Sequence, residues 1–94
     1  MIQDKVTKEK LGKYSSITEK ALSIAKKNIV KSKAKQAQEI IKMVECYLHD
    51  SIYFQKKGDL VNSFAAINYA HGWLDSGSRL GIFDVKDSKL FVVK

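Results

Sequence analysis

The sequence predicts an all-α fold: a three-helix up-down-up bundle with a short C-terminal extended tail, in a single domain over residues 1–94. Three observations carry that expectation. Apolar residues recur at helical spacing through three successive runs. Two glycines, Gly58 and Gly81, stand where the second and third runs end, each suited to the left-handed position that closes a helix. The chain contains no proline, and its 45% hydrophobic content is ordinary for a folded protein.

The first helix is expected over about residues 4–30. Val6, Tyr14, Ile17, Ala21, Ile24 and Ala25 fall in one broad stripe, with Lys5, Lys8, Lys20, Lys26 and Lys27 on the other side. A second stripe, Ala37, Ile40, Ile41, Val44, Tyr47, Leu48, Ser51 and Phe54, marks a helix over about residues 33–57. Neither Gly nor Pro separates the two. An unbroken helix would rotate the second stripe by about 120° from the first, so a break is expected near residues 28–32, with Ser32 as the N-cap. In the segment KKGDL, Gly58 ends the second helix. Asp59 then caps the third by accepting from the backbone N–H of Val61 or Asn62. Lys56 and Lys57 occupy the last turn, where the helix dipole favours cations. The third helix spans about residues 60–80. The tail, residues 82–94, holds a turn-like stretch at 84–88 and an apolar run at 90–93.

Charge is unevenly placed. Of the net +7, the whole excess lies in residues 1–42, which hold eleven lysines against four acids. A polyanion would have to be met there. The basic patch Lys26, Lys27, Lys31, Lys33 and Lys35 surrounds the first turn, but arginine is almost absent and no aromatic is interleaved. Nucleic acid is therefore a possible partner and not the favoured one. The lone Cys46 excludes an intramolecular disulfide framework and fits a reducing compartment. No apolar run approaches the roughly 20 residues that span a bilayer, and the segment MIQDKVTKEK lacks the apolar centre of a signal peptide. A cytoplasmic protein without membrane association is expected.

The third helix is too apolar for the outer helix of a small bundle. Leu60, Phe64, Ile67, Leu74 and Ser78 form one stripe toward the other helices, while Tyr69, Trp73 and Leu80 lie roughly opposite, with Ala65 and Ala66 near them. Either the tail, through Ile82, Phe83 and residues 90–93, folds back over this second face, or the face meets a protein partner or a second copy; both can hold. Polar residues Asn68, His71, Asp75 and Arg79 form a further cluster. His71 falls near the centre of the core stripe and Asp75 stands four residues on, so the two can touch. A hydrogen-bonded core histidine is favoured there over a catalytic one. Gly72, inside the helix, costs about 1 kcal/mol relative to alanine and suits close approach of a neighbouring helix or ligand.

Signatures of chemistry are sparse. Cys46 and His49 are three residues apart on the second helix, but two ligands do not close a zinc site. There is no glycine-rich phosphate loop, no H-E-x-x-H and no nucleophile elbow. The sequence assigns no catalytic residue, metal or cofactor, and a non-enzymatic interaction module is the expected function.

The segment YLHDSIYFQKKGDLVNSFAAINYAHGWLDSGSRLG, residues 47–81, resembles an archaeal family catalogued as domain of unknown function 357. The resemblance rests on Tyr47 with Asp50, on Lys57, Gly58 and Asp59, and on Ala65 and Ala66. It continues through the run from Asn68 to Asp75 and through Arg79, Leu80 and Gly81. It implies a short helical bundle with no established activity and supplies no catalytic residues. The hairpin around Gly58 is also similar to tetratricopeptide hairpins, but one hairpin is too few for a solenoid. It is similar as well to the helix pair of nucleotide-transferase-associated (HEPN) domains. Their nuclease members carry an Arg followed four to six residues later by His; Arg79 is followed by none.

Overall fold

The structure, a computed structural model, describes residues 5–85. Helix α1 spans Lys8–Lys26, a short 3-10 turn spans Lys31–Lys33, α2 spans Ala34–Lys56 and α3 spans Leu60–Arg79. They form a helical bundle, and the described residues contain no β-strand, only an isolated antiparallel bridge between Ile29 and Phe83. Helix α3 is the hub: it packs along most of α2 and along α1, whereas α1 and α2 scarcely touch.

Each boundary has a local cause. Thr7 is the N-cap of α1, its side chain accepting from the Lys10 N–H at 3.1 Å, so the helix begins at Lys8; Asp4 lies outside the described residues. At the other end α1 stops four residues short of Val30. The Asn28 side-chain amide donates to the Ile24 carbonyl at 2.8 Å, and the following backbone pairs with the tail. Ser32 is not the N-cap of α2. It sits inside the 3-10 turn, where the Lys33 N–H donates to the Val30 carbonyl at 2.8 Å, and α2 grows from that turn without any side-chain cap.

The helix ends at Gly58 and Gly81 share one construction. Both glycines have positive φ, 77° and 75°. The Asp59 N–H donates to the Phe54 carbonyl and the Gly58 N–H to the Gln55 carbonyl; one helix later, Ile82 donates to Gly77 and Gly81 to Ser78. These are Schellman closures, which satisfy the last carbonyls and turn the chain sharply.

Asp59 caps α3 by accepting from the Asn62 N–H at 3.1 Å and from the Asn62 side-chain amide at 2.6 Å. The first of these bonds, reinforced by the second, holds its carboxyl below the ordinary carboxylate value. A lowered folded-state pKa contributes stability that is present above the unfolded value and lost as pH falls through the folded one. Asp59→Ala is therefore expected to lower the melting temperature at about pH 7, with the gap from the parent chain closing at about pH 2. Melts of both proteins across that range check it.

The core joins Ala21, Leu22 and Ala25 of α1, Ala37, Ile40, Ile41 and Val44 of α2, and Ala70 and Leu74 of α3 to Ile82, Phe83 and Val85. Phe83, 1% exposed, packs against Gly77 of α3, where Ile40 of α2 also comes close. Its backbone is pinned to the connection between α1 and α2: Val30 donates to the Ile82 carbonyl at 3.0 Å and Asp84 to the Asn28 carbonyl at 2.8 Å. The apolar run at residues 90–93, and residues 86–88 of the turn-like stretch, lie outside the described residues.

The buried side of α1 differs from the expected stripe. Leu11, Thr18, Ala21, Leu22 and Ala25 are buried, whereas Tyr14 is exposed and Ile17 half-buried. Because α1 leans mainly on α3, a narrow seam is covered and the edges of the broad stripe stay wet.

Candidate functional site

Helix α3 turns its buried side to both other helices. Toward α1 it turns Ile67 and Leu74, as the sequence stripe indicates. Toward α2 it turns small residues, Ser63, Ala66, Ala70 and Gly77. Ala66 thus belongs to the buried side and not to the outer face. Small side chains let α2 approach closely: the Ser63 hydroxyl donates to the Ser51 carbonyl at 2.7 Å, and the two serine hydroxyls lie 2.9 Å apart, both residues buried.

What remains outward is a strip of α3 bearing large apolar side chains. Val61 is 67% exposed, Tyr69 65%, Trp73 38% and Leu80 70%. Among the described residues, the start of the returning tail (82–85) meets Gly77 through Phe83, one turn from Trp73, and covers none of these side chains. Tyr69 is held in place by stacking on Tyr47 of α2, with ring centroids 5.5 Å apart. Gly72 lies at the middle of the strip. A Cβ built there meets nothing within 4 Å among the described residues, so none of the described helices packs on it. Asn68 and Gly72 instead form the shared floor of two open grooves, one continuing to Tyr69, Trp73 and Ser76, the other to Tyr14, Ile17, His71 and Asp75.

The second groove gathers three of the four residues of the polar cluster, Asn68, His71 and Asp75; Arg79 stands exposed in the last turn of α3, outside it. His71 is half-buried at the seam between α3 and α1, not at the centre of the core. Its Nδ1 shares a hydrogen bond with Thr18 Oγ1 at 3.1 Å, and its Nε2 lies 3.6 Å from Asp75 Oδ1. Hydroxyl, imidazole and carboxylate follow one another in the order of a nucleophile, base and orienting acid. The geometry differs at both ends: Thr18 is 1% exposed, and 3.6 Å exceeds an ordinary hydrogen bond. The array ties α1 to α3 and fixes the imidazole. Thr18 was missed by sequence reasoning, although it follows Leu11 by seven residues and precedes Leu22 and Ala25 by four and seven, the repeat of a buried seam.

All five lysines of the basic patch are exposed around the connection between α1 and α2. Lys26 is paired with Glu45 of α2 at 2.8 Å. Lys31, Lys33 and Lys35 flank the start of α2, whose first turn holds no acid. Cys46 and His49 are both exposed, and among the described residues no three His, Cys, Asp or Glu side chains converge as a metal site. No helix among the described residues is long and apolar enough to cross a membrane.

Comparison with protein-family models matches residues 13–83 to a protein of unknown function, DUF357. The match takes in α1 from Lys13 onward, all of α2 and α3, and the buried Phe83. No curated protein and no solved structure matches the chain.

Proposed function

The chain belongs to the family of proteins of unknown function DUF357, and on that footing we propose that it is a non-enzymatic helical interaction module that docks through the outward face of α3. The observation that supports this reading is the exposure of Tyr69, Trp73 and Leu80 together on one side of α3; the exposed large apolar side chains of the other helices, Tyr14 on α1 and Ile52 and Tyr53 on α2, stand apart from it. Aromatic side chains held rigidly at a surface bury much area at little entropic cost, which is why they concentrate at interface hot spots. Capture from nuclease-treated native lysate tests it. The parent chain is expected to retain protein that Trp73→Asp does not, with both variants equally folded by circular dichroism. Retention that disappears with nuclease, or is indifferent to Trp73, contradicts the reading.

A second reading, a nucleic-acid-associated accessory protein, is favoured by one observation: Lys27, Lys31, Lys33 and Lys35 stand exposed together at an acid-free helix start. Binding by such lysines alone is expected to be weak and indifferent to sequence. If about four phosphates are engaged, affinity falls by roughly one to two orders of magnitude between low and physiological salt. Lys27→Glu combined with Lys31→Glu removes it, and Trp73→Ala leaves it unchanged. Submicromolar, salt-resistant affinity for a defined RNA would place this reading first.

A further inference from the structure

We propose that the partner at this face is a second copy of the chain, the two α3 helices crossing antiparallel about a two-fold axis beside Gly72. This rests on α3 being the docking face and names what docks there. The first observation is Gly72 itself. An exposed glycine inside a helix is unfavourable relative to alanine, and nothing among the described residues lies within 4 Å of its missing Cβ. Its smallness serves no contact made among the described residues.

The second observation is the spacing of large and small residues. With two copies of α3 antiparallel about an axis between Gly72 and Trp73, Tyr69 of one lies opposite Ser76 of the other and Leu80 opposite Ala65, while Trp73, beside the axis, meets its own copy. Away from the axis, each large side chain meets a small one. In parallel register the same residues meet their own kind, Trp73 on Trp73 and Tyr69 on Tyr69. Self-complementarity of this sort is what an isologous interface requires.

The third observation is charge. Two copies of a +7 chain repel unless they meet where the lysines are not. The positive excess is confined to residues 1–42, which precede α3. From Val61 to Ser76 the exposed residues of α3 are uncharged, Arg79 coming only in the last turn. Antiparallel pairing also directs Arg79 of one copy toward the half of the other that begins at Asp59, the favourable sense for both charge and helix dipole. At their observed exposures, Tyr69, Trp73, Val61 and Leu80 offer on the order of a few hundred Å² per copy. That places the contact toward the low end of specific interfaces and predicts a dimer of about micromolar affinity.

Sedimentation of the purified full chain from about 1 to about 200 μM tests the proposal. The expected result is a reversible monomer–dimer equilibrium, weakened about thirtyfold by Trp73→Ala. Gly72→Ala supplies a signature that a merely structural glycine lacks. It is expected to raise the melting temperature of the dilute monomer, because alanine suits the helix and meets nothing, while weakening the dimer. A chain that stays monomeric throughout overturns the second copy as occupant. The lysate capture with Trp73→Asp then decides separately whether α3 docks on another protein. A dimer indifferent to both substitutions also overturns the proposal.

Discussion

Phe83→Ala is expected to destabilise the protein by about 3–5 kcal/mol, a loss that leaves a domain of this size largely unfolded at physiological temperature. The ring is 1% exposed and lies against Gly77 of α3, in the core cluster that includes Ile40 of α2. Its removal leaves a cavity that the surrounding helices cannot collapse into, because α1 and α2 scarcely touch one another. Ile82 and Asp84 bond the neighbouring backbone to the connection between α1 and α2, so losing the anchor also frees that connection. Chemical denaturation followed by circular dichroism measures the loss. A cost below about 1 kcal/mol would mean that the returning tail is an ornament on a bundle already complete.

Gly77→Val, the second large effect, acts on the same contact from the other side. A Cβ at Gly77 would stand 2.5 Å from Phe83 Cε2 and 2.7 Å from Phe83 Cδ2, with Ile40 Cδ1 at 3.1 Å. The ring is 1% exposed and sits in the core cluster, so overpacking is expected to cost about 2–3 kcal/mol, β-branching in the helix adding to it. Combining Gly77→Ala with Phe83→Leu, which shortens the knob as the hole fills, should cost less than the two single changes added together. Strict additivity would mean that residues 77 and 83 are not in contact.

Why some of this was legible in the sequence, and some not, comes down to which forces leave a trace in residue type. Periodic apolar residues and the pair Gly58 and Gly81 are direct consequences of helix geometry, so the all-α bundle and its hairpin follow from them. Asp59 was readable as a cap because a carboxylate beside a glycine has few other uses there. Ser32 misled because a serine marks an N-cap only where the helix begins, and a 3-10 turn moved that point to Ala34. On α1, hydropathy drew a stripe too wide and passed over Thr18, whose burial depends on His71 from another helix. On α3, Ser63, Ala66, Ala70 and Gly77 carry little hydrophobicity of their own; they are buried because their smallness admits α2 and Phe83. Tyr69, Trp73 and Leu80 were singled out because their size and polarity conflict with a solvated face. The groove floor at Gly72 could be seen only once no neighbouring helix was found to fill it.

The arrangement of α3 against a second α3 is tested most directly by disulfide capture in a Cys46→Ser background, since the exposed Cys46 would otherwise compete. Asn68→Cys and Ser76→Cys are prepared separately, mixed, and oxidised slowly. Both positions are exposed, lie one turn either side of Gly72, and spare the large side chains. An antiparallel crossing at Gly72 predicts that the mixed 68–76 disulfide dominates well beyond its statistical twofold share and that Trp73→Ala suppresses it. Equal statistical yields, or a predominance of 68–68 and 76–76 pairs, would contradict the crossing and with it the self-complementary face.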